Sequence, residues 1–99
     1  MNKKDSIGVL RCKLKLVIMS HCRSDVPVRK VGMSLLAGEV DVYSSPSTLE
    51  MDLLAYVDQL KDSYIFPLLQ WGRELREMST KDVTPNAIPP LPKFQLELV

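Results

Sequence analysis

The sequence holds one histidine, two cysteines and four glycines, and each shortage closes off a class of chemistry. A Cys/His dyad could use only His21 with Cys12 or Cys22, and neighbours such as His21 and Cys22 point to opposite faces of a strand. A structural zinc site needs about four ligands, commonly in CxxC spacing. Cys12, His21 and Cys22 supply three, without that spacing. Gly8, Gly32, Gly38 and Gly72 are scattered, so no phosphate-cradling loop of the Walker or dinucleotide type is present. Carboxylates such as Glu50, Asp58 and Asp62 sit where any solvated helix face carries acids, and none pairs off as a general acid and base. The expectation is a non-enzyme: no catalytic residue, no metal, no cofactor and no small-molecule substrate.

Long hydrophobic runs are also missing. The apolar stretch from Leu14 to Met19 is interrupted by Lys15 and is far too short to span a bilayer, so an integral membrane protein is not expected. The polar start MNKKDSIG has no secretory pattern. Free thiols in a reducing compartment follow, cytoplasmic in the first instance, with the nucleus as the alternative. A chain of 99 residues, 45% hydrophobic and 25% charged, forms one domain with one modest core. Such a core gains from a second copy, and a homo-oligomer is expected.

Alternation is what the N-terminal half does have. In VLRCKLKLVIM, Leu10, Cys12, Leu14, Leu16 and Ile18 recur every second residue with Arg11, Lys13, Lys15 and Val17 between them, the period of a half-buried strand. Val26, Val28, Met33 and Leu35 favour a second strand, with Pro27 at an edge or turn, and Gly38 is expected to turn the chain into a third through Val40 and Val42. The predicted fold is α+β: a small antiparallel sheet from residues 1–45, joined by a C-terminal strand over 93–99, packed against two helices within 46–79. Four prolines, Pro85, Pro89, Pro90 and Pro92, make 80–92 an extended connection with polyproline character.

The helical segment has firmer signals. Ser47 and Glu50 have capping-box spacing, and Leu49, Leu53, Tyr56, Val57, Leu60 and Tyr64 then share one face. Pro67 is expected to end that helix near 64–66 and open a second one, whose face is Leu68, Trp71, Leu75 and Met78.

The formal charge of +1 conceals a dipole. Residues 1–30 carry eight Lys or Arg against two acids, a balance of +6, and residues 31–99 carry five against ten, a balance of −5. On a strand, Arg11, Lys13 and Lys15 would project about 7 Å apart, twice the strand rise and close to phosphate spacing. Together with Arg29 and Lys30 they form the candidate contact for nucleic acid or another anion. Aromatics are too few to interleave with them, so stacking of bases is not expected.

Partner recognition has several separate marks. PPLP at 89–92 resembles a short ligand of one class of WW domains, and Glu97-Leu98-Val99 resembles a PDZ ligand of the acidic subclass. Pro89, Pro90, Leu91, Pro92, Phe94, Leu96, Leu98 and Val99 are therefore the candidate partner contacts, although the alternation of Phe94, Leu96 and Leu98 is a burial pattern, and a folded terminal strand would leave neither motif available. Trp71-Gly72-Arg73 matches a triplet in the first homology box of a family of helical apoptosis regulators. That fold is an all-helical bundle longer than this chain, and strands are expected over the first forty residues, so the match is set aside. Ser45-Pro46 and Thr84-Pro85 have the form of proline-directed phosphorylation sites. The expected function is that of a small accessory or adaptor protein acting by protein–protein contact and self-association, of a kind that suits a viral accessory or matrix-like protein. The alternative is a nucleic-acid-binding regulator using the basic face.

Overall fold

The computed structural model describes residues 6–40, 47–78 and 88–92, and every regular element in them is a helix. In chain order these are α1 (Ile7–Cys22), α2 (Pro27–Glu39), α3 (Leu49–Gln59) and α4 (Asp62–Arg76). The expected α+β fold is thus overturned: no strand and no sheet occurs among the described residues. The proposed terminal strand over 93–99 lies outside them, as does most of the proposed third strand.

The physical reason lies in α1. Period-two alternation over a few residues also fits a helix, where positions two apart stand about 200° round the axis from each other. Arg11 and Lys15 then share one flank and Lys13 takes the other, leaving two opposed apolar stripes. The stretch VLRCKLKLVIM is built mainly of Leu, Lys, Arg and Met, with only Val9, Val17 and Ile18 β-branched, which favours helix over strand. Ser6 starts it, its Oγ accepting from the amide of Val9 at 3.2 Å.

Pro27, read as an edge or turn residue, is the first residue of α2, where its fixed φ suits a helix and its missing N–H costs nothing. Ser24 Oγ accepts from the amide of Val26 just ahead of it, at 3.0 Å. Gly38 does not turn the chain; it lies inside the last turn of α2.

Of the expected face, α3 carries Leu53 and Val57, buried, and Leu49 and Tyr56, partly so; buried Leu60 follows it, and partly buried Tyr64 belongs to α4. It begins after Thr48. The predicted break at Pro67 falls instead at Leu60 and Lys61, both extended with ψ of 139° and 144°. Pro67 sits within α4, one turn past its start, where it leaves the carbonyl of Ser63 without its helical donor. Leu68, Trp71 and Leu75 are buried as the pattern predicts, and Ile65, Leu69 and Gly72 join them.

α1 is the central element, packing against all three other helices, while α2 also packs on α4. The core gathers Leu14, Val17 and Ile18 from α1, Val28, Met33 and Leu36 from α2, and the buried faces of α3 and α4. Each such side chain contributes roughly 1.5–3 kcal/mol when fully buried. Two glycines set the approach of the helices. A Cβ on Gly72 would stand 2.8 Å from Cγ1 of Val17, and one on Gly32 would overlap the δ-methyls of Leu75. No helix among the described residues is long and apolar enough to cross a membrane.

Candidate functional site

The cations singled out by charge do not share a face. Arg11 crosses from α1 to the break between α3 and α4: Nη1 donates to the carbonyls of Val57 at 2.5 Å and Leu60 at 2.9 Å, and Nη2 pairs with Asp62 Oδ1 at 2.6 Å. It satisfies the carbonyls that end α3, a role a helix C-terminus requires of some donor. Lys15, one turn on, pairs with Asp58 of α3. Lys13 lies on the opposite flank of α1. Arg29 turns inward, its Nη2 donating to the carbonyl of Arg76 at 3.3 Å at the end of α4. Lys30 lines an open cleft. The +6 of the N-terminal part is thus spent partly on the acids and carbonyls of the C-terminal part.

That cleft, about 440 Å³, lies where the end of α1, the middle of α2 and the start of α3 meet. Met33, Leu49, Met51 and Cys22 give it apolar wall, and Ser34, Ser47 and Lys30 give it polar groups. One side is fixed by Arg23 and Glu50, joined by two parallel bonds of 2.9 and 2.7 Å. This pairing holds Glu50 below the usual carboxylate range and raises Arg23. Glu50, expected to close a capping box with Ser47, faces Arg23 instead.

His21 and Cys22 are adjacent but serve different neighbourhoods. The imidazole is fully buried toward α4, with Nε2 2.8 Å from the carbonyl of Gly72. The thiol of Cys22 borders the cleft, and burial and then the nearby Glu50 push its pKa up, which disfavours the thiolate a nucleophile needs. No group of three or more His, Cys, Asp and Glu side chains among the described residues is placed to hold a metal ion.

The outer side of α1 is apolar as well. Val9 is 44% exposed and Leu16 63%, Cys12 between them is exposed, and Met19 is half-buried. Positions 9, 12, 16 and 19 follow the three-four spacing of a helix–helix seam and stand opposite Leu14, Ile18 and His21. Sequence reading missed this stripe because the strand period assigned Cys12 and Leu16 to the inside; the three-four spacing was the available signal.

Of the candidate partner contacts, Pro89, Pro90, Leu91 and Pro92 are described; Phe94, Leu96, Leu98 and Val99 lie outside the described residues, as do Ser45-Pro46 and Thr84-Pro85. Ile88 is buried, and the indole Nε1 of Trp71 donates to the carbonyl of Pro89 at 2.8 Å. Trp71 therefore anchors α4 to the other helices and to this C-terminal piece, not to a sheet. With the first forty residues helical where described, the strand argument against the WGR match falls away and the length argument stays. Within this fold the triplet acts locally: Trp71 holds Pro89, Gly72 admits Val17, and Arg73 is exposed.

No family model matches the chain, and no curated protein or solved structure shows a significant match to it.

Proposed function

We propose that the protein is not an enzyme and acts through protein–protein contact, with the outer stripe of α1 as a self-association surface. The observation that carries this reading is the exposure of Val9, Cys12 and Leu16 in seam spacing on a helix whose opposite side is the centre of the core. Exposed apolar residues aligned in one stripe support a contact surface. Two turns of seam bury little area, below the roughly 1,200 Å² of a standard interface, so exchange between monomer and dimer is expected, not a permanent assembly.

Sedimentation of the wild type and Leu16→Glu over a concentration series tests it. Concentration-dependent dimerisation, lost in the variant with its helical content retained, is the expected result. A wild type that stays monomeric at the highest concentration would sink the reading. The alternative, a nucleic-acid binder, draws less support from the geometry, because Arg11 and Lys15 are engaged by Asp62 and Asp58. The surroundings of His21 and Cys22 support the non-enzyme reading, since their reactive atoms face different elements.

A further inference from the structure

Trp71 is the only tryptophan of the chain, and at 3% exposure it is almost wholly covered. Its N–H meets the segment Ile88–Pro92, IPPLP, which forms neither helix nor strand. Ile88 is 7% exposed and belongs to the core, Pro89, Leu91 and Pro92 are half-buried, and Pro90 is exposed. The polar tie between the two is the 2.8 Å bond from the indole N–H to the carbonyl of Pro89.

Proline has a carbonyl to offer and no N–H. A proline-rich strand therefore presents only acceptors and apolar rings, and the groove that reads it needs an aromatic surface and a donor pointing outward. An indole supplies both at once. Trp71 supplies the donor of such a groove to the Pro89 carbonyl, and its ring belongs to the same core as Ile88.

We propose that Ile88–Pro92 is a latched polyproline ligand, that its partner in trans is a proline-reading domain of the WW type, and that Trp71 is the internal competitor which must release it. This goes beyond the α1 stripe, which takes no part in it. Pro90 already faces solvent and gives the partner a first contact, while the carbonyl of Pro89 is held. The partner's apparent affinity is then its intrinsic affinity reduced by the fraction of molecules with the strap lifted. Weakening the latch tightens binding without any change in the ligand residues.

Isotope-labelled full-length protein titrated with a WW domain of the PPLP-binding class tests this, with calorimetry for affinity and the single indole N–H resonance as the reporter. Trp71→Phe keeps a ring and deletes the donor, and an affinity gain of about fivefold is expected from the loss of one hydrogen bond. Ile88→Ala loosens the strap from its own side without touching a helix, and a gain of roughly tenfold or more is expected. Pro90→Ala should weaken binding, and saturation of the wild type should move the indole resonance to the position of a freed N–H. Equal affinities for wild type and Ile88→Ala would overturn the latch even if Trp71→Phe fails to fold. No binding by wild type or Ile88→Ala would overturn the ligand itself, and neither result would bear on dimerisation through α1.

Discussion

The imidazole of His21 reaches the carbonyl oxygen of Gly72 across the α1–α4 contact, with Nε2 at 2.8 Å. A carbonyl can only accept, so the proton sits on Nε2, and Nδ1 is left buried without a hydrogen-bond partner. Burial lowers the pKa of His21 below its usual 6.5; the Gly72 bond works against this, and Arg29 and Arg76 add to it. The folded state therefore holds the neutral ring, while the unfolded chain takes up a proton near pH 6.5. Stability is independent of this group above that pH. Below it, stability falls by up to about 1.4 kcal/mol per pH unit until the folded pKa is reached. Urea unfolding at pH 7.5 and 5.5 is expected to show a larger loss for wild type than for His21→Gln, whose amide can still donate to Gly72. Equal losses in the two proteins would contradict the assignment.

Arg11 is expected to matter for folding. Its partly buried guanidinium serves two carbonyls and a carboxylate, so Arg11→Ala should cost about 1.5–3 kcal/mol in urea unfolding, the range for hydrogen bonds to a charged group. Lysine cannot make this fork of contacts, and Arg11→Lys should recover little. Lys15→Ala removes a more exposed ion pair and should cost less than about 1 kcal/mol. Fluorescence anisotropy with labelled RNA and DNA at low salt adds a second readout. A large loss of nucleic-acid affinity in Arg11→Ala with stability unchanged would restore the anion-contact role of that residue.

The glycines of α2 and α4 should respond to alanine with opposite signs. Gly32→Ala and Gly72→Ala push a methyl into Leu75 and Val17, and overpacking of this kind costs about 1–3 kcal/mol. Gly38 has open space around its missing Cβ, and there alanine should stabilise by about 0.5–1 kcal/mol through helix propensity. Thermal unfolding of the three variants checks this. Destabilisation by Gly38→Ala would mean that the last turn of α2 is not helical in solution.

The helices α3 and α4 were legible because their apolar residues recur at three and four over several turns, a pattern no strand shares. α1 was not, because Arg11, Lys13 and Lys15 satisfy a period of two over the very residues that a helix also accommodates. Ser6 as a cap and Pro27 as a first helical residue were the local marks that could have decided between them. The charge dipole was legible as a count, but its meaning depended on packing: Arg11 and Lys15 meet acids from the other half of the chain. The cleft was invisible, since Cys22, Lys30 and Met51 have no common spacing. PPLP was visible as a motif, yet that its first carbonyl is taken by Trp71 is a tertiary fact.

The two thiols should separate the faces of α1 chemically. Cys12 is exposed on the outer stripe, whereas Cys22 is half-buried, with its pKa raised by burial and then by Glu50. The thiolate is the reactive form, so a disulfide reagent at neutral pH should modify Cys12 quickly and Cys22 slowly. If two copies meet along Val9, Cys12, Leu16 and Met19 in parallel, each Cys12 stands opposite its mate at a seam position, within the roughly 5.5–6 Å Cα separation a disulfide favours. Mild oxidation of Cys22→Ser should then give a covalent dimer, and the yield should collapse in Cys22→Ser with Leu16→Glu although Cys12 remains accessible. A dimer that forms equally well in that double variant would reflect random collision of an exposed thiol, and the seam would have to be abandoned. Efficient dimerisation without cross-linking would keep the stripe as the interface and reverse the helix direction, because an antiparallel seam sets Cys12 against Leu16.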